Sequence, residues 1–426
     1  MNQLLLTGNA AAAWGARLAA VDYIPAFPIT PQTEIIESLA SWIDNNEMDA
    51  RLVTLESEHS MITAAGAAAA TGIRVYSATS SQGLLYAMEM LYSVAGWRTP
   101  FVLTNVSRGL SSPITLESDH NDILAARDSG FLQIHCSTCQ EVLDNTIIAF
   151  RLAEDPRIRL PVIVNLDGFY LSFTREPVEL PDSEKVRQFV GEYDAENTLF
   201  RASRPVSQAV AVLGGSPYSY FRYETHLAAQ NGLAIYEEIT ADFNQLFDRQ
   251  YDAIEAYRTE DADLVFVMMG SFATKAKDAV DRLRQAGQKV GLLRPRLFRP
   301  FPAEGFQRLL KKVKAVAVID QNISMGMGGV LHSELCSALY GQQQAPLFIA
   351  SYIGGLGGRD ISIEEFFEMA KEVSDATQQD KTLKPRLLYT ETELREVRKL
   401  QAVAQVERQE LINTSSQQDQ QEKVNE

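Results

Sequence analysis

Helix-like and strand-like stretches alternate at short spacing along much of the chain, and this alternation restricts the possible fold more than any other feature. In the first part of the sequence, the predicted strands are 23–28, 51–55, 74–79, 100–106, 131–135 and 161–166. A second series begins at Asp263, with predicted strands at 264–269, 289–293, 315–320 and 347–353. Such alternation is typical of mostly parallel sheets covered by helices. We therefore predict an α/β fold with two open, mostly parallel-sheet domains.

The alternation weakens between Thr174 and Ala262, where prolines and polar residues accumulate. We expect a helix at Tyr236–Tyr257 that packs this segment back onto the first domain. The predicted domains are therefore residues 1–258, an α/β domain with a C-terminal extension, and residues 259–378. Residues 379–426 read as a helical to disordered polar tail, since a charged stretch near Glu391–Ile412 runs into a low-complexity end.

The chain is acidic, with a formal net charge of −16 and a sequence pI near 4.9. An acidic surface repels nucleic-acid phosphates and anionic membranes, so neither is an expected partner. The N-terminal sequence lacks the basic leading region and apolar stretch of a secretion signal. No apolar run approaches the roughly 18 residues of a membrane span. We expect a cytoplasmic protein.

The chain has three cysteines, Cys136, Cys139 and Cys336. Iron–sulfur clusters normally take four thiolates, so we expect no cluster in this chain. Cys136 and Cys139 form a CxxC, but a zinc site would need a second pair of ligands at suitable spacing. We interpret them as incidental thiols rather than a redox pair.

Polar segments follow several predicted strands of the first domain, where ligands bind in open α/β sheets. In Phe27-Pro28-Ile29-Thr30-Pro31, Thr30 and Pro31 are interpreted as the N-cap and first residue of a helix. A helix start alone explains them, although a hydroxyl there would also face the ligand crevice.

The segment Glu56-Ser57-Glu58-His59 lies between an apolar strand and an apolar, alanine-rich helix. Acidic residues suit the positive end of a helix dipole, which alone could explain them. Because the helix must be buried, a carboxylate at its start needs a partner or its pKa rises. Such a group is a candidate acid or base.

Two further segments follow the next strands. The turn Ser80-Ser81-Gln82-Gly83 offers hydroxyls and amides to an anion or a polar ring edge, although such turns are common. Arg108, in Val106–Leu110, could bind a carboxylate with two hydrogen bonds or form an ordinary ion pair. A glycine-rich turn, Gly326–Gly329, is weak evidence for a dinucleotide site and equally fits close helix packing. The sequence has no P-loop, GxSxG or HExxH motif.

In this order, the motifs resemble the alpha subunits of 2-oxoacid:ferredoxin oxidoreductases, the pyruvate:ferredoxin oxidoreductase family. The matching segments are FPITP, ESEHS, SATSSQGL, VSRGLSSP with DHND, LPVIVNLDGFYLS, and later LRPRLFRPFP, VIDQN and GMGG. The resemblance covers residues 1–375. It implies a thiamine-pyrimidine-binding domain followed by a transketolase C-terminal-like domain.

The resemblance also implies site roles. Glu58 would hydrogen-bond the aminopyrimidine ring of thiamine diphosphate and promote loss of the thiazolium C2 proton, with Glu56 ranked second. Thr30 and Arg108 would hold the oxygens of the substrate. The cofactor-binding residues would be Glu58, Pro28, Ile29, Ser80, Ser81 and Gln82. Asp119 and Asn121 lie on a nearby loop without an assigned role, and no residue is expected to bind a metal.

The implied reaction is the reversible oxidative decarboxylation of pyruvate or a related 2-oxoacid, with coenzyme A, to acyl-CoA, CO2 and reduced ferredoxin. Beta, gamma and delta-type subunits would be the partners. A beta subunit would hold Mg²⁺ and the diphosphate, and other subunits would hold the iron–sulfur clusters. Two alternatives stay open: a transketolase-like thiamine enzyme subunit without ferredoxin, and a non-catalytic assembly subunit.

Overall fold

The structure, a computed structural model, describes residues 2–193, 200, 202–203 and 205–425. Two compact units are present, Met1–Arg386 and Leu387–Glu426. Among the described helices, none combines the length and apolar character needed to cross a bilayer.

Strands and helices alternate along most of the described chain, as predicted. The strands are β1 (Asn2–Thr7), β2 (Tyr23–Ala26), β3 (Arg51–Thr54), β4 (Tyr76–Thr79), β5 (Val102–Ser107), β6 (Leu132–His135), β7 (Val162–Asp167), β8 (Arg175–Leu180), β9 (Ile254–Tyr257), β10 (Leu264–Val267), β11 (Val290–Pro295), β12 (Leu297–Arg299), β13 (Ala315–Asp320), β14 (Phe348–Ile353) and β15 (Arg386–Leu387). The helices are α1 (Gly8–Leu18), α2 (Thr33–Asp44), α3 (Glu58–Ala69), α4 (Ser81–Tyr86), α5 (Met88–Gly96), α6 (Asn121–Ala125), α7 (Cys139–Glu154), α8 (Ser183–Val190), α9 (Ser216–Phe247), α10 (Phe272–Gln285), α11 (Ala303–Leu309), α12 (Val330–Leu339), α13 (Ile363–Gln378) and α14 (Glu391–Asn425). This mixed architecture with parallel-rich sheets confirms the predicted fold class.

The first sheet has the strand order β12–β6–β7–β5–β4. Strands β4, β5, β6 and β7 are parallel, with Thr79 opposite Asn105 and Ser107 opposite Asp167. Strands β2 and β3 form a parallel pair beside β4, joined by a bridge between Tyr23 and Val75. The carboxyl ends of these strands therefore lie along one edge.

The second sheet contains β14–β13–β10–β11–β9, of which only the edge strand β9 is antiparallel. Each sheet contains one strand from the other side of the predicted boundary at residue 258. Strand β9 precedes that boundary but belongs to the second sheet, and β12 follows it but pairs with β6 of the first sheet. Sequence periodicity contains no information about such long-range pairing, so the domain limits stay a prediction.

The predicted helix at Tyr236–Tyr257 is wrong in its bounds. Helix α9 begins at Ser216 and ends at Phe247, and residues 254–257 form β9. Gly215 with a φ of 67° and Pro217 in the first turn are helix-start signals, although prolines that accumulate over a segment more often indicate loops. Strand β1 was not predicted because its partner, β8, lies far along the chain.

The second unit contains α14. Thr390 and Glu393 form reciprocal hydrogen bonds at its start, with Thr390 Oγ1 accepting from Glu393 N at 3.2 Å and Thr390 N donating to Glu393 Oε2 at 2.7 Å. The helix continues past Ile412 to Asn425, over the segment predicted to be disordered.

Close packing between α1 and α7 depends on small residues. Ala12, Ala13 and Ala16 of α1 are fully buried, and Gly15 faces Thr146 of α7. A Cβ atom on Gly15 would lie 2.6 Å from Thr146 Cβ and 3.0 Å from the carbonyl oxygen of Leu143. Both are too close for an undisturbed core.

We predict that Gly15→Ala destabilises the chain by about 1–3 kcal/mol, because overpacking forces neighbouring side chains and backbone to move. Gly96→Ala is the matched control, since an added Cβ there meets nothing within 4 Å. It should stabilise the protein by up to about 1 kcal/mol through helix propensity. Urea denaturation measures both changes, and equal stability of the two variants would contradict the packing argument.

A buried polar contact joins the two sheets. Asp167, at the end of β7, accepts hydrogen bonds from His120 Nε2 at 2.7 Å and from the Ser271 amide at 2.7 Å. The Ser271 hydroxyl also contacts this carboxylate. Burial alone would lower the pKa of His120, but the charge and hydrogen bond of Asp167 outweigh it and raise the pKa. The pKa of Asp167 is lowered to about 2 by His120 and Ser271 against the effect of burial.

This contact predicts a loss of stability on the alkaline side. A histidine with a raised folded-state pKa contributes stability fully below its unfolded pKa of about 6.5, and that stability is lost as pH rises through the folded-state pKa. The melting temperature should therefore fall as pH rises above about 6.5. His120→Gln should flatten this dependence, whereas the exposed control His226→Gln should keep it. An unchanged pH profile in His120→Gln would contradict the prediction.

Candidate functional site

The polar segments that follow β2, β3, β4 and β5 contact one another at the carboxyl edge of the first sheet. Arg108 Nη1 donates to the carbonyl oxygen of Thr30 at 2.8 Å, and Arg108 Nη2 donates to Gln82 Oε1 at 2.7 Å. Glu58 lies against Gly83, since a Cβ atom placed on Gly83 would be 2.5 Å from Glu58 Oε1. The carboxylate and the guanidinium thus contact adjacent residues of α4.

The start of α3 gives Glu58 and Glu56 different environments. Ser57 is the N-cap of α3, with its hydroxyl accepting from the Ser60 amide at 3.2 Å. Glu58, the first helical residue, is 5% exposed, and burial raises its pKa. Glu56 is exposed, and a hydrogen bond from Ser60 lowers its pKa. Of the two, only Glu58 is buried with a raised pKa, which is the environment of a candidate acid or base.

Unpaired polar atoms lie beside Glu58. The hydroxyl oxygens of Thr79 and Ser80 are buried without a hydrogen-bond partner among the described residues. A Cβ atom on Gly83 would lie 2.7 Å from Thr79 Oγ1 and 2.5 Å from Glu58 Oε1, so the absence of a side chain at Gly83 lets both groups approach this turn. Buried hydroxyls without partners are rare in folded proteins, because each costs free energy. These hydroxyls and the Glu58 carboxylate are therefore candidate contacts for a ligand with a polar edge.

Arg108 is a buried cation held by neutral acceptors. Its side chain is 7% exposed, and its Nε atom has no partner in the described part of the chain. The two oxygens that accept its hydrogen bonds, the Thr30 carbonyl oxygen and Gln82 Oε1, carry no formal charge. Burial lowers the pKa of Arg108, and the charge of Asp122 opposes this effect. An anionic ligand would stabilise such a guanidinium strongly.

The prediction that Thr30 is a helix N-cap is wrong. Helix α2 begins at Thr33, and Gln32 occupies the cap position. A turn precedes the helix, with Gln32 N donating to the carbonyl of Ile29 at 3.1 Å. Gln32 Nε2 and Asn9 Nδ2 hold this loop through the carbonyls of Phe27 and Pro31, at 2.9 and 2.8 Å. The Thr30 side chain is exposed at the same edge, as is Pro28, while Ile29 is half-buried.

The DHND segment divides its contacts between the two sheets. Asp119 accepts from the Asn121 amide at 3.0 Å, and Asn121 Oδ1 accepts from the Ile323 amide at 3.0 Å. Asp122 points back to the first sheet, where it accepts from the amides of Ser81 and Arg108. The sequence pattern singled out this segment but not Asp122. The only sequence signal for Asp122 was a carboxylate that follows Arg108 within the same stretch of chain.

The cysteines and the glycine-rich turn have structural explanations. Burial raises the pKa of both Cys136 and Cys139, so neither forms a reactive thiolate at neutral pH. At the start of α12, the amides of Leu331 and His332 donate to Asp320 at 2.7 and 3.2 Å. These amides are therefore not free to bind a phosphate. In the described residues, no group of three or more His, Cys, Asp or Glu side chains is placed to hold a metal ion.

Comparisons with known proteins identify the family of the chain. Residues 14–239 match the family described as "Pyruvate flavodoxin/ferredoxin oxidoreductase, thiamine diP-bdg", and residues 262–366 match "Pyruvate:ferredoxin oxidoreductase core domain II". The chain is similar to pyruvate synthase subunit PorA of Pyrococcus abyssi, with 40% identity over 89% of this chain and 96% of that protein. It is 41% identical to PorA of Thermotoga maritima, over 85% of this chain and 92% of that protein.

Relatives named for other substrates match at comparable identity. Ketoisovalerate oxidoreductase subunit VorA of Pyrococcus horikoshii is 38% identical over 88% of this chain and 95% of that protein. Among solved structures, the fold resembles a 2-oxoglutarate:ferredoxin oxidoreductase from Magnetococcus marinus, with a TM-score of 0.68 and 22% identity over 87% of this chain. The matched region spans 65% of that solved chain. From the family matches and the identity to the PorA subunits, the chain belongs to the pyruvate flavodoxin/ferredoxin oxidoreductase family.

Proposed function

We propose that this chain is the alpha subunit of a thiamine-diphosphate-dependent 2-oxoacid:ferredoxin oxidoreductase. Working with partner subunits, it oxidatively decarboxylates pyruvate or a related 2-oxoacid, with coenzyme A, to acyl-CoA, CO2 and reduced ferredoxin. The observation that carries the proposal is the placement of a buried carboxylate, Glu58, and a buried cation, Arg108, against adjacent residues of α4. The proposal includes a cytoplasmic location.

The polar groups around Gly83 suit the aminopyrimidine ring of thiamine. This ring has nitrogen donors and acceptors along one edge. The unpaired hydroxyl of Thr79 and the Glu58 carboxylate both border Gly83, and Ser80, the next residue after Thr79, has a second unpaired hydroxyl. Thiamine diphosphate, when bound, supplies a nucleophilic carbon and accepts the electron pair released by decarboxylation. Glu58 would hydrogen-bond a ring nitrogen and hold or release a proton there, as its raised pKa favours.

Arg108 would bind the substrate carboxylate. Two neutral acceptors fix its guanidinium, and its Nε atom is buried without a partner among the described residues. A fixed cation orients the carboxylate and compensates for its desolvation. The Thr30 hydroxyl, next to the carbonyl that Arg108 contacts, would hold a substrate oxygen. Pro28, Ile29, Ser81 and Gln82 would line the cofactor and substrate region.

We assign the remaining cofactors to partner subunits. The resemblance implies that a beta subunit supplies Mg²⁺ and the contacts to the diphosphate, and that gamma and delta-type subunits supply or connect the iron–sulfur clusters to ferredoxin. The relatives include proteins named for pyruvate and for ketoisovalerate. The choice of 2-oxoacid is therefore part of the test.

Glu58→Gln should lower 2-oxoacid oxidation by at least about 100-fold, because the amide keeps the shape of the side chain but cannot exchange a proton. The assay is anaerobic viologen reduction by the chain co-expressed with its partner subunits, with coenzyme A, thiamine diphosphate and each of several 2-oxoacids. Glu56→Gln is the matched control and should keep nearly full activity, since that side chain is exposed.

Full activity of Glu58→Gln would refute the site assignment. A wild-type complex that oxidises none of the 2-oxoacids would refute the proposed function and favour the assembly-subunit alternative. Activity in an aldehyde-transfer assay without ferredoxin would favour the transketolase-like alternative.

Arg108→Lys should reduce kcat/KM for the 2-oxoacid by about 10- to 100-fold, the effect of losing a charge-assisted hydrogen bond. Lysine keeps the charge but cannot reach Thr30, Gln82 and a carboxylate together. Steady-state kinetics measures the change, with the KM for coenzyme A as an internal reference that should stay constant. An unchanged KM for the 2-oxoacid would argue against substrate binding by Arg108.

A further inference from the structure

Asp122 has the most hydrogen-bond donors of the acidic side chains around the candidate site. Its Oδ2 atom accepts from the Ser81 amide at 3.0 Å, from Asn105 Nδ2 at 3.1 Å and from the Arg108 amide at 3.3 Å. Its Oδ1 atom accepts from the hydroxyl of Ser107 and from the Ile123 amide, both at 2.7 Å. The side chain is fully buried. A carboxylate is buried in this way only where its lone pairs are satisfied.

Two of these donors belong to the segments that present the candidate site. The Ser81 amide lies one residue before Gln82, which holds the Arg108 guanidinium, and two residues before Gly83, which contacts Glu58. The Arg108 amide belongs to the cation itself. A single carboxylate therefore ties the ends of β4 and β5 together at the point where the carboxylate and cation of the site are displayed.

The backbone at Ser81 needs such support. Its φ is 49°, in the left-handed region that residues other than glycine rarely adopt. The Ser81 backbone amide donates a hydrogen bond to Asp122, and the Ser81 hydroxyl donates to the carbonyl of Gly109 at 3.0 Å. Strained backbone persists only where its surroundings hold it, and here the main-chain contact is with Asp122.

Asp122 also places a negative charge near Arg108 without pairing with the guanidinium that would bind the substrate. Asp122 contacts the main-chain amide of Arg108, whereas Nη1 and Nη2 contact Thr30 and Gln82. The negative charge of Asp122 favours the charged guanidinium. A carboxylate paired directly with the guanidinium would instead compete with an incoming carboxylate.

We propose that Asp122 is a positioning residue for 2-oxoacid binding, which holds the first turn of α4 and the end of β5 so that Arg108 faces the substrate carboxylate. This inference rests on the proposed function and adds to it a residue that touches neither cofactor nor substrate. Asp122 acts through the amides of Ser81 and Arg108.

The test compares Asp122→Ala with Asp122→Asn in the co-expressed complex. Alanine removes all five hydrogen bonds. The amide of asparagine can keep its oxygen toward Ser81, Asn105 and Arg108 and turn its NH2 group toward the hydroxyl of Ser107, giving up only the bond from Ile123. Gly15→Ala is the stability control, because its expected damage lies between α1 and α7.

We expect Asp122→Ala to raise the KM for the 2-oxoacid at least about 10-fold, with a smaller change in kcat. Asp122→Asn should restore the KM to within about 3-fold of wild type. A purely structural role would reduce the active fraction and so lower kcat at constant KM, as expected for Gly15→Ala. If Asp122→Ala keeps the wild-type KM, or if Asp122→Asn is as impaired as Asp122→Ala, the positioning role is overturned.

Amide hydrogen exchange gives a readout that does not depend on activity. Exchange at the amides of Ser81 and Arg108, resolved by fragmentation mass spectrometry, should accelerate at least about 10-fold in Asp122→Ala and stay near wild type in Asp122→Asn. Unchanged protection in Asp122→Ala would overturn the inference even in an inactive complex. A wild-type complex that oxidises no 2-oxoacid would instead refute the proposed function, and the exchange result would still decide the role of Asp122. If Asp122→Ala does not assemble, Asp122→Ser takes its place with the same thresholds.

Discussion

The parallel pairing of β4, β5 and β7 is the constraint on which the candidate site depends. Because Thr79 lies opposite Asn105 and Ser107 opposite Asp167, these strands deliver their following residues to one edge. The edge is buried, so its polar groups must find partners within the protein or in a ligand. The NH2 group of Asn105 and the hydroxyl of Ser107 find them in Asp122 and Asn165, whereas Asn105 Oδ1 and the hydroxyls of Thr79 and Ser80 have no partner among the described residues.

Burial gives the two charged groups of the site their chemical character. An exposed glutamate is ionised at neutral pH and an exposed arginine forms weak, screened pairs. At this edge, burial raises the pKa of Glu58 and leaves Arg108 with neutral acceptors. The same physical cause therefore prepares one group to exchange a proton and the other to bind an anion. Family membership gives this arrangement its chemical interpretation, and the local geometry explains why these two residues are suited to it.

Much of this arrangement could be predicted from sequence, since alternation and polar strand ends are local patterns. The choice of Glu58 over Glu56 came from the family resemblance and not from the local pattern, because the difference in burial depends on Ser57 being the cap of α3. The N-cap assigned to Thr30 was wrong because the side chains of Asn9 and Gln32 hold an additional turn before α2. The local sequence does not reveal these hydrogen bonds. The pairing of β12 with β6 and of β1 with β8 joins distant segments, which periodicity does not encode.

The central claim is that Glu58 serves the aminopyrimidine ring of thiamine diphosphate. The most direct measurement is the rate of deuterium exchange at thiamine C2, followed by acid quench and proton NMR, in the assembled complex without substrate. The account predicts fast exchange in the wild type and in Glu56→Gln, and exchange at least about 100-fold slower in Glu58→Gln. Exchange as fast in Glu58→Gln as in the wild type would contradict the account, because the proton would then leave without the help of this carboxylate.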